Sequence, residues 1–174
     1  LRASHFFPTL DVLRRCRDED CMLVVGPPNP LSLLDICILK PNMFWSNGEG
    51  WYSLSPQTFS RTDKVEPVWM AIGKKAVLNS AGKNWGTQQG VDDQSTCVPN
   101  AAEAVWGLMT YKMVRGIRLL QKQFVRTSSF MSTSEPYPAT HVIIGHFGPD
   151  GLRVPLPLSD GKILGTGVLK SLKF

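Results

Sequence analysis

The chain has 174 residues, of which 43% are hydrophobic and 19% charged, with a formal net charge of +5. That is apolar material enough for one core in a single domain over 1–174, and it excludes a disordered chain. No apolar run reaches the roughly 18 to 20 residues of a membrane-spanning helix, and the cysteines Cys16, Cys21, Cys37 and Cys97 are too few for a disulfide scaffold and lack the paired spacing of a zinc site. The expectation is a soluble, cytoplasmic protein with reduced thiols, no metal, no cofactor and no membrane partner. The opening Leu1-Arg2-Ala3-Ser4 carries no initiator methionine, which leaves a processing boundary and a removed signal peptide open.

In chain order, Pro8 followed by Leu10, Val12 and Leu13 predicts a short helix running to Cys16 and ended by Asp18-Glu19-Asp20. The continuous run Met22-Leu23-Val24-Val25 reads as a buried strand. Three prolines between Pro27 and Pro30 make a rigid loop, after which Asn29 as cap and Leu31, Leu34 and Ile38 as an apolar stripe predict a second short helix up to Pro41. Asn47-Gly48 between Phe44-Trp45 and Trp51-Tyr52 predicts a tight hairpin with an aromatic cluster, suited first to the core and second to stacking on a base or sugar. Residues 55–66 read as a loop, Val68 to Ile72 as a strand, and 79–95 as a long polar loop of the kind that carries binding function.

The segment from Val98 to Gly116 is the one whose start, face and stop are all written in the sequence. Asn100 is an N-cap, Glu103 three residues on completes a capping box, and Gly116 supplies a left-handed stop. Ala101, Ala104, Val105, Leu108, Met109 and Met113 recur at helical spacing, so this central helix should bury one stripe. Beyond it, Phe124 to Thr127 reads as a strand, 128–139 as a loop, His141 to Phe147 and Leu152 to Val154 as two strands joined by Gly148-Pro149-Asp150-Gly151, and Ile163 to Leu172 as a last strand after a turn at Asp160-Gly161. The fold class is therefore α+β: a mostly C-terminal antiparallel sheet packed against a central helix, with two shorter N-terminal helices.

The stretches Val98-Pro99-Asn100-Ala101-Ala102-Glu103, Val125-Arg126-Thr127-Ser128-Ser129 and Gly145-His146-Phe147-Gly148-Pro149-Asp150-Gly151-Leu152-Arg153-Val154 resemble a group of bacterial proteins to which no activity is assigned. The resemblance implies a bacterial origin and no chemistry. The C-terminal meander is also similar to that of C-type-lectin-like domains, an alternative fold, although the acidic calcium-binding loops and cysteine pairs of a lectin are missing.

No phosphate-binding, dinucleotide, metalloprotease or nucleophile-elbow motif occurs. Three functional readings follow. The first is a small binding or interaction module without catalysis, its ligand or partner unknown. The second is a nucleic-acid-binding protein, because Lys112, Arg115, Arg118, Lys122 and Arg126 fall in a stretch with no acidic residue between Glu103 and Glu135; an acidic protein is the other partner such a field attracts, and Trp106 or Tyr111 would stack. The third is a thiol enzyme with Cys97 ahead of the central helix, His146 as base and Glu103 or Asp150 as orienter. His141 and His146, five apart on one strand, face opposite sides, so at most one lines a given site.

Overall fold

A computed structural model describes residues 7–54, 57–90, 96–131, 140–156 and 166–174. Helix α1 (Leu10–Asp18) starts on Thr9, whose hydroxyl accepts from the Val12 N–H, one position beyond the expected proline start. Strand β1 (Cys21–Val25) follows. A two-residue strand β2 (Leu31–Ser32) precedes α2 (Leu33–Leu39), which is capped by Ser32 and Asp35 in a reciprocal box and not by Asn29. The buried face of α2 is Leu33, Ile36 and Cys37, while Ile38, expected inward, is exposed. Setting the cap three residues later than the sequence reading rotates the stripe.

The loop expected over 55–66 contains a single turn of helix, α3 (Phe59–Thr62), and a short strand β3 (Lys64–Val65) that pairs with β2. Strand β4 (Trp69–Gly73) runs antiparallel to β1 with Met22 opposite Ile72. The polar stretch after it holds a short helix α4 (Trp85–Gln89), and residues 91–95 of that stretch lie outside the described residues.

Helix α5 (Ala101–Arg115) has the cap, box and stop that the sequence announces: Asn100 Oδ1 accepts from the Glu103 N–H, the Glu103 carboxylate accepts from the Asn100 N–H, and Gly116 ends the helix at φ 72°. Its N-terminal part is buried on nearly every side, Ala102, Glu103 and Gly107 included, whereas Met113 is 48% exposed. The reason is its position. The helix packs on β1 through one side and on the second sheet through the other. At Gly107 a methyl group would come within 2.8 Å of Ile72 Cδ1, so glycine sets how closely the helix approaches the β1–β4 ladder.

The second sheet is built from β5 (Phe124–Met131), β6 (Thr140–Gly148), β7 (Gly151–Arg153) and β8 (Gly167–Val168), in the order β7-β6-β5-β8. The last strand, β9 (Ser171–Lys173), joins β4 instead, giving the order β1-β4-β9. The expected final strand is thus two strands in two sheets, and β8 lies parallel to β5, so the C-terminal sheet is mixed in one pairing. The expected loop over 128–139 begins later, since β5 extends to Met131; residues 132–139 and the turn at 160–161 lie outside the described residues. The architecture is α+β, with the central helix between two sheets. No helix among the described residues is long and apolar enough to cross a membrane.

Candidate functional site

The aromatic segment after Pro41 does not form the expected hairpin. Ser46, Asn47 and Gly48 take φ values of 55°, 53° and 82°, three left-handed residues in succession, and the chain coils through tight turns. The Asn-Gly pair does supply the positive angles, but Phe44 bridges to Leu152 of β7 in place of a local partner. Left-handed backbone at two residues bearing a Cβ costs about 1 kcal/mol or more each. Hydrogen bonds within the segment hold it. The Glu49 N–H donates to Ser46 O at 3.0 Å, and the Tyr52 hydroxyl donates to Gly48 O at 2.9 Å.

This backbone sorts the aromatics. Phe44 and Tyr52 are buried, and beside Tyr52 the Cys37 thiol is pushed up to about 12 by burial, so both groups stay neutral parts of the core. Trp45 is held half exposed. The Arg153 guanidinium lies 5.4 Å from the centre of the Trp45 ring, a cation–π pair that fixes the indole. Trp51 donates its indole N–H to Val154 O at 2.8 Å and leans on Phe59. Between them opens a cleft of about 300 Å³, lined mainly by Trp45, Glu49, Trp51, Arg153, Val154 and Leu156. Its lining is apolar and aromatic with one cation and one carboxylate, the composition of a small-molecule site. Among the described residues its lining holds no histidine or cysteine, and its one hydroxyl, that of Tyr52, is engaged by Gly48 O.

No family model, curated protein or solved structure matches the chain. The site therefore stands on its own geometry.

Sequence reasoning also singled out a basic segment, and the structure divides it. Arg115 and Lys122 are exposed, and Lys112 and Arg118 are half-buried near them on the helix end and the connection after it. Arg126 does not share that surface: it is 1% exposed and donates to Gln88 Oε1 at 2.5 Å and to Lys83 O at 3.4 Å. The reason is its strand. β5 lies between β6 and β8, and the residues on both sides of Arg126 are buried with it. Trp106 is also committed, donating its indole N–H to Val25 O at 2.8 Å, and Tyr111 lies under the Lys74 amino group at 5.9 Å.

The proposed Cys97–His146 dyad is not assembled. Cys97 bridges to Ser171 of β9 with its sulfur 3.4 Å from the Ser171 hydroxyl, while His146 sits in the other sheet, stacked on Phe124 with ring centres 4.6 Å apart. Glu103 is spent on the helix cap and on Lys173, whose amino group lies 2.6 Å away. Asp150 is exposed in the β6–β7 turn. His141 is stacked face to face on Trp85 at 3.7 Å. Among the described residues no group of three His, Cys, Asp or Glu side chains is placed to hold a metal ion. The cleft residue that sequence reasoning missed is Arg153; the signal was its position one strand past a glycine turn, legible only once β7 is known to lie against Phe44.

Proposed function

We propose that the protein is a non-catalytic binding module, that its ligand seat is the Trp45–Trp51 cleft, and that the ligand is a flat ring bearing a negative charge. The observation that carries the reading is an indole kept half in solvent at the mouth of a cleft by a strained, left-handed backbone. Trp45 offers a stacking face and Arg153 a charge for an anionic substituent. Adenosine monophosphate is a suitable probe. Titrated into the ¹⁵N-labelled protein, it should move the indole resonances of Trp45 and Trp51 before any others. Trp45→Ala should weaken binding by about 5- to 160-fold, since stacking on an aromatic side chain is worth about 1–3 kcal/mol per base. Unmoved Trp45 and Trp51 resonances at millimolar nucleotide and benzoate would end the proposal.

The nucleic-acid reading keeps one observation in its favour: Arg115 and Lys122 are exposed and form no ion pair among the described residues. With Lys112 and Arg118 they offer four cations, so the logarithmic salt slope for duplex DNA should not exceed about −3.6. A flat salt response removes that reading. A cytoplasmic setting and a bacterial origin belong to the same proposal, the first supported by four free thiols.

A further inference from the structure

The outer edge of β1 borders a groove. Lys74 N–H donates to Asp20 O and Gly26 N–H donates to Val68 O, at either end of an antiparallel ladder in which Met22 faces Ile72 and Val24 faces Met70. Antiparallel pairing alternates, so the even-numbered residues turn their N–H and C=O groups toward β4 and the odd-numbered ones, Cys21, Leu23 and Val25, turn theirs away. The Trp106 indole N–H, 2.8 Å from Val25 O, shows that outward direction. The strand order β1-β4-β9 leaves this edge without a neighbour, and among the described residues the N–H and C=O of Leu23 and of Cys21 have no hydrogen-bond partner.

Beside this edge runs a groove of about 400 Å³ whose far wall is the last part of α5, through Thr110, Tyr111, Val114 and Arg115, with Lys74 at one end. Thr110 Oγ1 has no hydrogen-bond partner among the described residues. Val114 is 75% exposed, and Arg115 is exposed without an ion pair among the described residues. Lys74 is engaged by Asp20 at 2.9 Å, which leaves Arg115 as the cation free to meet a ligand in the groove.

From this edge and this wall we propose that the groove takes an extended acidic peptide of a partner protein, added as a further strand to β1. An alternating row of donors and acceptors matches a peptide backbone, whereas phosphates would meet the Leu23 and Cys21 carbonyls as repelling acceptors. Side chains of an added strand alternate between faces, so every second one lies against α5: an acidic residue at Arg115 and an apolar one at Val114 and Tyr111. Trp106 closes the far end at Val25, limiting the paired stretch to about four residues at roughly 3.3 Å each. A second copy is a poor occupant, because edge-to-edge pairing through β1 sets two walls of like charge, each with Arg115, side by side.

The probe is a fluorescein-labelled eight-residue peptide of alternating glutamate and valine, read by anisotropy with the full chain. Expected results are saturable binding that weakens with salt, at least tenfold loss in Leu23→Pro, little change in Leu23→Ala, and about tenfold loss in Arg115→Glu. Leu23→Pro deletes an N–H that points away from the ladder, a position where an edge strand accepts proline. The same peptide with alternate amides N-methylated should not bind the unaltered protein, and this arm holds even where the proline variant is unstable. Hydrogen exchange should show the Leu23 amide unprotected alone and protected with peptide. The proposal falls if the N-methylated peptide binds as well as the parent, if Leu23→Pro is folded and binds normally, or if an oligonucleotide displaces the peptide while the Leu23 amide stays unprotected. Because no residue of the Trp45 cleft is touched, failure here leaves the cleft reading standing, and the reverse.

Discussion

Gly151→Ala is the substitution that tests how the aromatic cleft is held. Gly151 has φ 108°, a conformation open to glycine, and a methyl group there would press on the Phe44 carbonyl carbon and stand 2.6 Å from Trp45 N and 2.7 Å from Phe44 O. Those are backbone atoms, which cannot swing aside as a side-chain end can. The strained angle costs about 1–3 kcal/mol, and forcing a methyl into a packed contact costs about 1–3 kcal/mol more. Alanine's smaller unfolded-state entropy returns about 0.4–1 kcal/mol. The net loss is about 1–6 kcal/mol, which for a chain of this size lowers Tm by about 2–22 °C. Thermal unfolding by circular dichroism measures it. The same variant should alter the near-ultraviolet signal at 25 °C, because the segment pushed outward carries Trp45. A Tm within about 2 °C of the parent with an unchanged near-ultraviolet spectrum would refute the claim that β7 seats the Phe44–Trp45 backbone.

Three further outcomes are expected. Arg126→Ala should destabilise by about 2–4 kcal/mol, from the cavity and from the Gln88 oxygen left without its donor, while Lys122→Ala should stay within about 0.5 kcal/mol; equal effects in urea titrations would contradict the burial of Arg126. Burial works to lower the Lys173 pKa but the adjoining Glu103 carboxylate outweighs it, leaving it above the ordinary value of 10.5. A cation whose pKa is raised by folding stabilises below its unfolded value and loses that contribution as pH rises through the folded one, so stability should fall above pH 10.5 more steeply in the parent than in Lys173→Met. Ellman's reagent at pH 8 should find one fast thiol, removed by Cys97→Ser, because Cys97 is exposed while burial pushes Cys21 up to about 11 and Cys37 up to about 12 and also raises Cys16; two fast thiols would contradict this.

What was legible in advance follows the range of the forces involved. Helix α5 was readable to the residue at both ends because a capping box and a left-handed glycine act within one turn of chain. The strands at β1, β4 and β6 were readable because β-branched and apolar runs have few other uses. Phe44 to Ser53 misled because Asn47-Gly48 dictates positive φ but not what the flanking residues pair with; Leu152, over a hundred positions away, decided that. The stripe of α2 was displaced because a cap at Ser32 competes with one at Asn29, and the pairing of β2 with β3 settles the contest.

By itself, then, the sequence determined an α+β chain, a capped central helix and the turns around it, all consequences of local sterics and hydrogen bonding. Only the tertiary structure decided that Arg126 is interior, that Cys97 and His146 stand in different sheets, that Arg153 covers Trp45, and that β1 ends its sheet with open amides beside Arg115. Each of these depends on which distant segments share a surface. Hydrophobic burial and sheet closure fix that for the whole molecule at once, and no short stretch of residues encodes it.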